Sequence, residues 1–328
     1  MIQISVVVPV YNNAAGLEEC LCALVPSAGP SVEILVVDDG STEDLATVTS
    51  CLPVRLLRLD RNSGAGAARN HGARHATGDV LLFVDSDVVV APDAVRRVAR
   101  VLQEQPDVAA VFGSYDAAPR APGVVSQFRN LLHHFVHQQG DPEASTFWAG
   151  CGAVRRSVFE AVAGFDTGRS TRAIEDIELG YRLRDAGHRI LLDKGLRGTH
   201  LKRWTLASFV RTDIRYRAVP WSRLILQRRM RLDHLNLKTE HRVSVALALL
   251  GTIALPLALL HPAMLALAAA AVVGLALANR RVLAFFVSAR GISFAAASVP
   301  LLFLHYLASG LGYLWIRTGH SIARVAAR

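Results

Sequence analysis

VLLFVDSD, residues 80–87, is the stretch on which the reading of this chain turns. Its first five residues, Val80 to Val84, are apolar without a break, as a strand buried on both faces requires. The strand ends in two carboxylates one residue apart, Asp85 and Asp87. Alternation around Ser86 lets both reach the same side of a strand end. Hard oxygen ligands of this kind suit Mg²⁺ or Mn²⁺, which share their coordination shell with substrate phosphates. Two solvated acids in a turn would read the same way in isolation, so the surroundings must decide.

Working outward, Ile4 to Val8 reads as a buried strand, Glu18 to Val25 as part of a helix, and Glu33 to Val37 as a second strand ending at Asp38-Asp39-Gly40-Ser41. Val54 to Leu59 reads as a third strand and Gly64 to Thr77 as a helix, before the strand at Val80. This short-period alternation predicts an α/β fold, a mostly parallel sheet flanked by helices with ligands at the carboxyl ends of its strands. Pro9 to Asn12, Asp38 to Gly40 and Asp85 to Asp87 all fall at such ends and are expected to meet in one crevice. Downstream, Gly113 to Thr146 is expected to cross the surface, Phe165 to Thr171 to form a loop, Glu175 to Ala186 a helix closed by Gly187, and Ile190 to Asp193 a last strand.

The segment Asn62 to Asn70 holds Gly64-x-Gly66 between a strand and a helix, a spacing shared with dinucleotide-binding turns. That fingerprint normally follows the first strand, whereas this one follows the third, and the acids of interest come one strand later. Arg69 on the same segment is placed to meet a nucleotide or its phosphates, with a helix-surface salt bridge as the plain alternative.

The chain has 328 residues, enough for one large domain with an appendage or for two domains, and 52% of them are hydrophobic. The apolar excess lies at the C-terminal end: Val243 to Asn279 and Ile292 to Ile316 contain no Asp, Glu, Lys or Arg. A bilayer core of ~30 Å needs about 20 apolar helical residues. The first run is too long for one helix and breaks at His261-Pro262, so three membrane segments are expected, 243–260, 263–278 and 292–316. The opening apolar stretch Ile4 to Val10 is too short for a secretory signal, contains Pro9 and lacks a basic leader, which predicts a cytoplasmic N-terminal portion. Cys20, Cys22, Cys51 and Cys151 show no metal-ligand spacing and fit a reducing compartment.

The net charge of +9 is uneven. From Lys202 to Arg231 nine Lys and Arg residues face a single acid, Asp213, and are interleaved with Trp204, Phe209, Ile214, Trp221 and Leu224. That mixture suits helices lying in an anionic headgroup layer, and its place just before the apolar runs favours lipid over nucleic acid. The expected organisation is a catalytic domain over 1–202, basic interfacial helices over 203–242, a membrane region over 243–317 and a basic tail over 318–328. The arginines flanking the spans do not settle orientation by the charge rule.

The order of motifs resembles family 2 glycosyltransferases of the GT-A fold. The matching pieces are VVVPVYNN at 6–13, ILVVDDGSTED at 34–44, NSGAGAARNHG at 62–72, GDVLLFVDSD at 78–87, WAGCGAVRRSVFEAVAGFD at 148–166 and EDIELGYRLRDAGHRI at 175–190. They cover about the first 200 residues in order. The resemblance implies a nucleotide-sugar donor, a UDP- or GDP-sugar, with Pro9, Tyr11 and Asp39 lining the base and ribose pocket and Asp85 facing the ribose or a metal-bound water. It implies that Asp87 holds Mg²⁺ or Mn²⁺ against the diphosphate, with His200 as a further metal ligand or a hydrogen-bonded loop histidine. Asp176 matches the catalytic base, and a single base implies inversion at the sugar carbon. Glu175 beside it would hold a donor hydroxyl or raise the pKa of Asp176 by like-charge repulsion. First-turn acids favouring a helix N-terminus are the alternative for this pair. Trp148 and Gly150 would line the sugar pocket, with a core Trp as the alternative.

The expected activity is therefore transfer of a single sugar onto a lipid or lipid-linked acceptor at the cytoplasmic face of the inner membrane, by a multi-pass protein. A processive polysaccharide synthase is the rival enzyme. His200 to Trp204 resembles the Gln-x-x-Arg-Trp box of such synthases only in part, since the glutamine position is not matched. A catalytically silent nucleotide-binding membrane scaffold is the rival from another class. Glu178 with Arg182 is expected to be a surface pair at i,i+4, and His133, His134 and His137 a polar surface near the acceptor.

Overall fold

The computed structural model describes residues 2–29, 32–168, 173–228 and 239–326. The expected loop end at Thr171, the arginines Arg229 and Arg231 of the basic tract and Arg328 of the tail lie outside the described residues. Two compact units make up the chain: residues 1–121 with 137–202, and residues 122–136 with 203–328.

The first unit begins with a wound α/β half: β1 (Ile4–Val10), α1 (Ala14–Ala28), β2 (Glu33–Asp38), α2 (Ala46–Thr49), β3 (Arg55–Arg58), α3 (Ala65–His75) and β4 (Val80–Val84). These strands are parallel neighbours in the order β3-β2-β1-β4. Short β5 (Val88–Val90), α4 (Ala94–Glu104) and β6 (Val108–Tyr115) follow. The chain leaves this unit through α5 (Val124–Gln138) and returns in β7 (Glu143–Ala144), β8 (Cys151–Arg155), α6 (Arg156–Ala161), α7 (Glu175–Asp185) and the 12-residue β9 (Arg189–His200). Strand β8 enters antiparallel between β4 and β6, β9 runs parallel to β6, and β5 and β7 pair antiparallel with β9. The sheet is thus mixed, with its all-parallel half built from the N-terminal strands.

Side-chain alternation on β1 divides the core. Val6, Val8 and Val10 pack with Leu17, Leu21 and Leu24 of α1 on one face, while Val7 packs with Ala68 and Ala73 of α3 and with Phe83 on the other. Helix α3 lies directly on the sheet at Gly72, where a Cβ would stand 2.4 Å from Val7 Cγ1. Because β1 and β4 are adjacent and the chain winds outward from them in opposite directions, their carboxyl ends open the crevice expected of a doubly wound sheet.

In the second unit α8 (Leu206–Arg211) runs through a seven-residue π-helical turn, Thr212–Ala218, into α9 (Val219–Arg228). Then come α10 (Thr239–Leu257), α11 (Ala263–Ala278), α12 (Arg280–Arg290) and α13 (Ile292–Ala326). Thr239–Leu257 and Ile292–Thr318 are long and apolar enough to cross a membrane, and α11 with α12 make one bent pair meeting at 72°, a broken span or a re-entrant loop. Among the described residues there are therefore two candidate spans, or three if the bent pair is one.

The stretch from Gly113 to Thr146, expected as a surface crossing, contains a 15-residue helix, α5, whose Phe128, Leu131, Asn130 and His134 are buried. The polar surface expected at its histidines is also corrected. His134 stacks on Phe285, and His137 is buried with its ring edge-on to Trp148 and its Nδ1 3.0 Å from the Gly113 carbonyl oxygen. Three histidines at this spacing read as a wet face because histidine hides an apolar ring behind two nitrogens.

Candidate active site

The strand ends place the candidate residues. Asp39 follows β2, and its two carboxylate oxygens accept the backbone N–H groups of Ser63 and Gly64 at 2.7 and 2.8 Å. It thereby pins the turn that opens α3, and each oxygen keeps a second acceptor site. Gly40 is required beside it: its φ is +74°, and a Cβ would meet the Arg61 backbone at 2.7 Å. Pro9 is buried within β1, and Tyr11, just beyond the strand, is 47% exposed. These residues stand at neighbouring tips, since Val10 pairs with Asp38.

Arg69 is buried on α3, and its position differs from that of a free phosphate ligand. Its Nη2 donates to Asp85 Oδ1 at 2.6 Å and its Nη1 to Glu175 Oε1 at 3.1 Å, with the guanidinium 5.4 Å from the Phe165 ring centroid. Burial would lower its pKa, but Asp85, Glu175 and Asp176 outweigh that and raise it, so the group is a fixed cation. The next residue works with it: Asn70 donates from Nδ2 to the Phe165 carbonyl at 2.8 Å and accepts the Phe165 N–H at 2.9 Å. Gly66 supplies the room, because a Cβ there would lie 3.3 Å from Glu175 Cγ. The glycines of this segment thus serve a turn and the close approach of α7's first residue.

Glu175 and Asp176 open α7. Glu175 Oε2 is buried and finds no hydrogen-bond donor among the described residues, an acceptor site that a substrate hydroxyl can fill. Asp176 Oδ1 accepts its neighbour's Ile177 N–H at 2.8 Å, and Oδ2 accepts the Ala149 N–H at 3.3 Å. Burial, and then the charge of Glu175, push the Asp176 carboxyl up to about 6 despite the opposing Arg69. Such a group is half-deprotonated just below neutrality, where a general base operates.

Asp85 and Asp87 go to different partners. Asp85 faces Arg69, and its N–H donates to the Gly150 carbonyl at 3.1 Å. Asp87 sits where β5 pairs with β9: Val88 opposes His200, the Leu201 N–H donates to the Asp87 carbonyl at 2.9 Å, and Asp87 Oδ2 lies 3.3 Å from His200 Nε2. Burial raises the Asp87 pKa, but the hydrogen bond and charge of His200, with Lys202, outweigh it and leave the carboxyl below its ordinary value. Among the described residues no three His, Cys, Asp or Glu side chains gather to hold a metal unaided. Two converging donors, a carboxylate oxygen and an imidazole nitrogen, still fit a divalent cation that completes its shell with phosphate and water.

Trp148 is half-buried and lies across Gly150, where a Cβ would stand 2.4 Å from indole Cζ2. The expected surface pair Glu178–Arg182 is instead a part-buried tie, with Glu178 enclosed and Arg182 partly covered. Arg182 Nε donates to both Glu178 oxygens at 2.9 and 2.7 Å, Nη2 donates to the Gly164 carbonyl at 2.6 Å, and Nη1 to that of Val162. This fixes the Val162–Phe165 turn against α7. Asn70 and Arg182 have no signal of their own in the sequence, because each acts on backbone atoms far along the chain.

A crevice at the carboxyl tips of a wound sheet, edged by an Asp-x-Asp and a buried acid opening a later helix, defines the GT-A class of fold. Comparison with known proteins agrees. Residues 5–163 match the family model described as Glycosyl transferase family 2. An uncharacterized glycosyltransferase of Haemophilus influenzae is 28% identical over 192 residues, 55% of this chain and 61% of its own. Glycosyltransferase GlyG of Streptococcus pneumoniae is 34% identical over 117 residues, 34% of this chain and 38% of its own. Validoxylamine A glucosyltransferase of Streptomyces hygroscopicus is 30% identical over 220 residues, 56% of this chain and 52% of its own. The chain thus spans less than two thirds of the length of each of these relatives. A mannosyltransferase from Pyrobaculum calidifontis, solved with GDP-Man and Mn²⁺, shares the fold at a TM-score of 0.56 and 20% identity, covering 96% of this chain and 87% of that one. Residues 5–163 are thus a family 2 glycosyltransferase domain.

Proposed function

We infer that this protein transfers a single sugar from a nucleotide-diphosphate sugar, a UDP- or GDP-sugar, to a lipid or lipid-linked acceptor at the cytoplasmic face of the inner membrane, with inversion and with Mg²⁺ or Mn²⁺. The observation that carries the reading is the buried Arg69, which joins Asp85 at the tip of β4 to Glu175 beside Asp176. One guanidinium thereby ties the tip of β4 to the start of α7, next to Asp176, which supports a single site for donor and acceptor.

Asp39, Tyr11 and Pro9 would receive the nucleoside at the tips of β1 and β2. Asp87 and His200 would hold the divalent cation, whose charge offsets that building on the leaving nucleoside diphosphate. Glu175 Oε2 would accept from a donor-sugar hydroxyl, and Trp148 would offer its ring to the sugar face. Asp176 takes the acceptor hydroxyl's proton while that oxygen attacks the anomeric carbon from the side opposite the diphosphate. The new glycosidic bond forms as the bond to the phosphate oxygen breaks, so one displacement gives one inversion. The likeness of fold to a mannosyltransferase solved with GDP-Man and Mn²⁺ supports the donor class and the metal. The two candidate spans and the basic tract support an acceptor met at a membrane.

Purified protein in detergent, offered a panel of nucleotide sugars with Mn²⁺ or Mg²⁺, should release nucleoside diphosphate from one of them and lose that activity on chelation. Loss of a general base costs roughly 10²- to 10⁴-fold, which is the fall expected for Asp176→Asn. Full activity in that variant would remove the assigned base, and an unchanged anomeric configuration in the product would remove the inverting step.

A further inference from the structure

Tyr115, the last residue of β6, is outside every motif quoted above, yet it touches two residues of the site. It is buried, at 9% exposure. Its ring stacks on the His200 imidazole with centroids 4.3 Å apart and 10° between the planes, and meets the Trp148 indole edge-on at 4.8 Å and 80°. The backbone around this contact is fixed from both sides. Tyr115 pairs with Gly198 across the parallel β6–β9 ladder, the Asp116 N–H donates to the Gly198 carbonyl at 2.9 Å, and the Thr199 hydroxyl donates to the Asp116 carboxylate. His200 is in turn paired with Val88, the neighbour of Asp87, in the β5–β9 ladder.

What the ladders leave open is the rotation of the imidazole about its last bond, a broad, two-fold torsion. A flat ring laid against it closes that freedom. With the plane set by Tyr115, Nε2 is held toward Asp87 Oδ2 at 3.3 Å. The edge contact places the same ring against the indole lying over Gly150.

We propose that Tyr115 is a positioning residue for the reaction: it holds His200 in the orientation in which Nε2 and Asp87 share one divalent cation, and braces Trp148 beside it. This rests on the metal-dependent reading above. Groups that orient a metal-bound histidine change metal affinity about 10- to 100-fold when removed, although they never touch the metal. The tyrosine's part is played by its ring face, so phenylalanine serves and an aliphatic side chain does not.

The test is Mn²⁺ titration of the full chain in detergent, followed by the loss of the free-Mn²⁺ electron paramagnetic resonance signal, in the presence of UDP or GDP. Tyr115→Phe should bind Mn²⁺ as the wild type does. Tyr115→Leu should weaken binding by about tenfold or more. In a His200→Ala background the Leu substitution should cost nothing further, because the two residues act as a unit. If Tyr115→Leu does not fold, Tyr115→Met carries the same comparison. Wild-type affinity in the aliphatic variant, or losses that add fully in the double variant, would overturn the role of Tyr115 alone. A wild-type protein that binds no Mn²⁺ with either nucleotide would overturn the metal-dependent reading and this role with it.

Discussion

Asp176 owes its raised pKa first to burial and then to the charge of its neighbour Glu175. Burial and the adjacent Glu175 favour the protonated form, and Arg69 opposes them, with the balance at about 6. If Asp176 is the base, as proposed, its deprotonated form is the active one, and kcat/KM should fall as the pH drops through about 6, by roughly tenfold for each further unit. Glu175→Gln removes the like charge and should carry this acid limb to lower pH, whatever it does to donor affinity. A pH–rate profile of the two proteins reads the shift directly, and a limb that stayed in place or rose would show that Glu175 does not act on Asp176 through its charge. Both carboxylates are plain in the sequence at positions 175 and 176, but their unequal surroundings are not. The N–H of Ala149, the guanidinium of Arg69 and the space over Gly66 come from three other segments, and spacing within one segment carries no trace of them.

At the scale of elements, the wound half of the sheet was legible because strands buried on both faces must be apolar throughout, as Val6 to Val8, Ile34 to Val37 and Val80 to Val84 are. The other half was not. Nothing in Cys151 to Arg155 announces that β8 inserts antiparallel between β4 and β6, since the hydrogen bonds that decide it belong to the backbone. Register follows close contacts that single residues control. Gly72→Ala would drive a methyl into Val7, whose side chain is enclosed between β1 and α3. Overpacking of this kind costs about 1–3 kcal/mol, so the thermal midpoint of the full chain should fall by several degrees. In the second unit, Arg129 on α5 pairs with Asp213 of the π-helical turn at 2.7 Å, both fully enclosed, and His305 Nδ1 lies 2.7 Å from the other Asp213 oxygen. Burial would raise the Asp213 pKa, but Arg129 and His305 outweigh it and hold the carboxyl well below its usual range. Arg129→Met leaves that charge poorly compensated and should destabilise by roughly 3 kcal/mol, whereas adding Asp213→Leu should restore much of the loss. Equal destabilisation in the single and double variants would mean that the pair contributes packing alone.

For the molecule as a whole, the sequence places its apolar residues unevenly, and the helices of the second unit turn them outward. Ile253, Leu255, Leu265, Val273, Leu277, Ile292 and Trp315 are all more than half exposed on α10, α11 and α13. The polar side chains among them turn inward: Asn279 Nδ2 donates to Ser244 Oγ at 2.9 Å and the Tyr306 hydroxyl donates to Asn279 Oδ1 at 2.8 Å. Apolar residues out and hydrogen-bonded polar residues in is the arrangement that a lipid solvent selects and water does not. An exposed apolar surface of this extent would aggregate in buffer. Length alone had suggested three spans, and the bend of 72° at Asn279 is where that count becomes two or three, because no hydropathy sum registers the direction of a helix axis. When expressed in bacteria, the protein should stay in the membrane pellet through a wash with alkaline carbonate, which strips proteins held only by charge, and should enter solution with detergent. Arg211, Arg215 and Arg223 are exposed in the basic tract, so an attachment by charge alone is the alternative this wash removes. Release by carbonate would reduce α10 and α13 to helices that cover some other apolar partner.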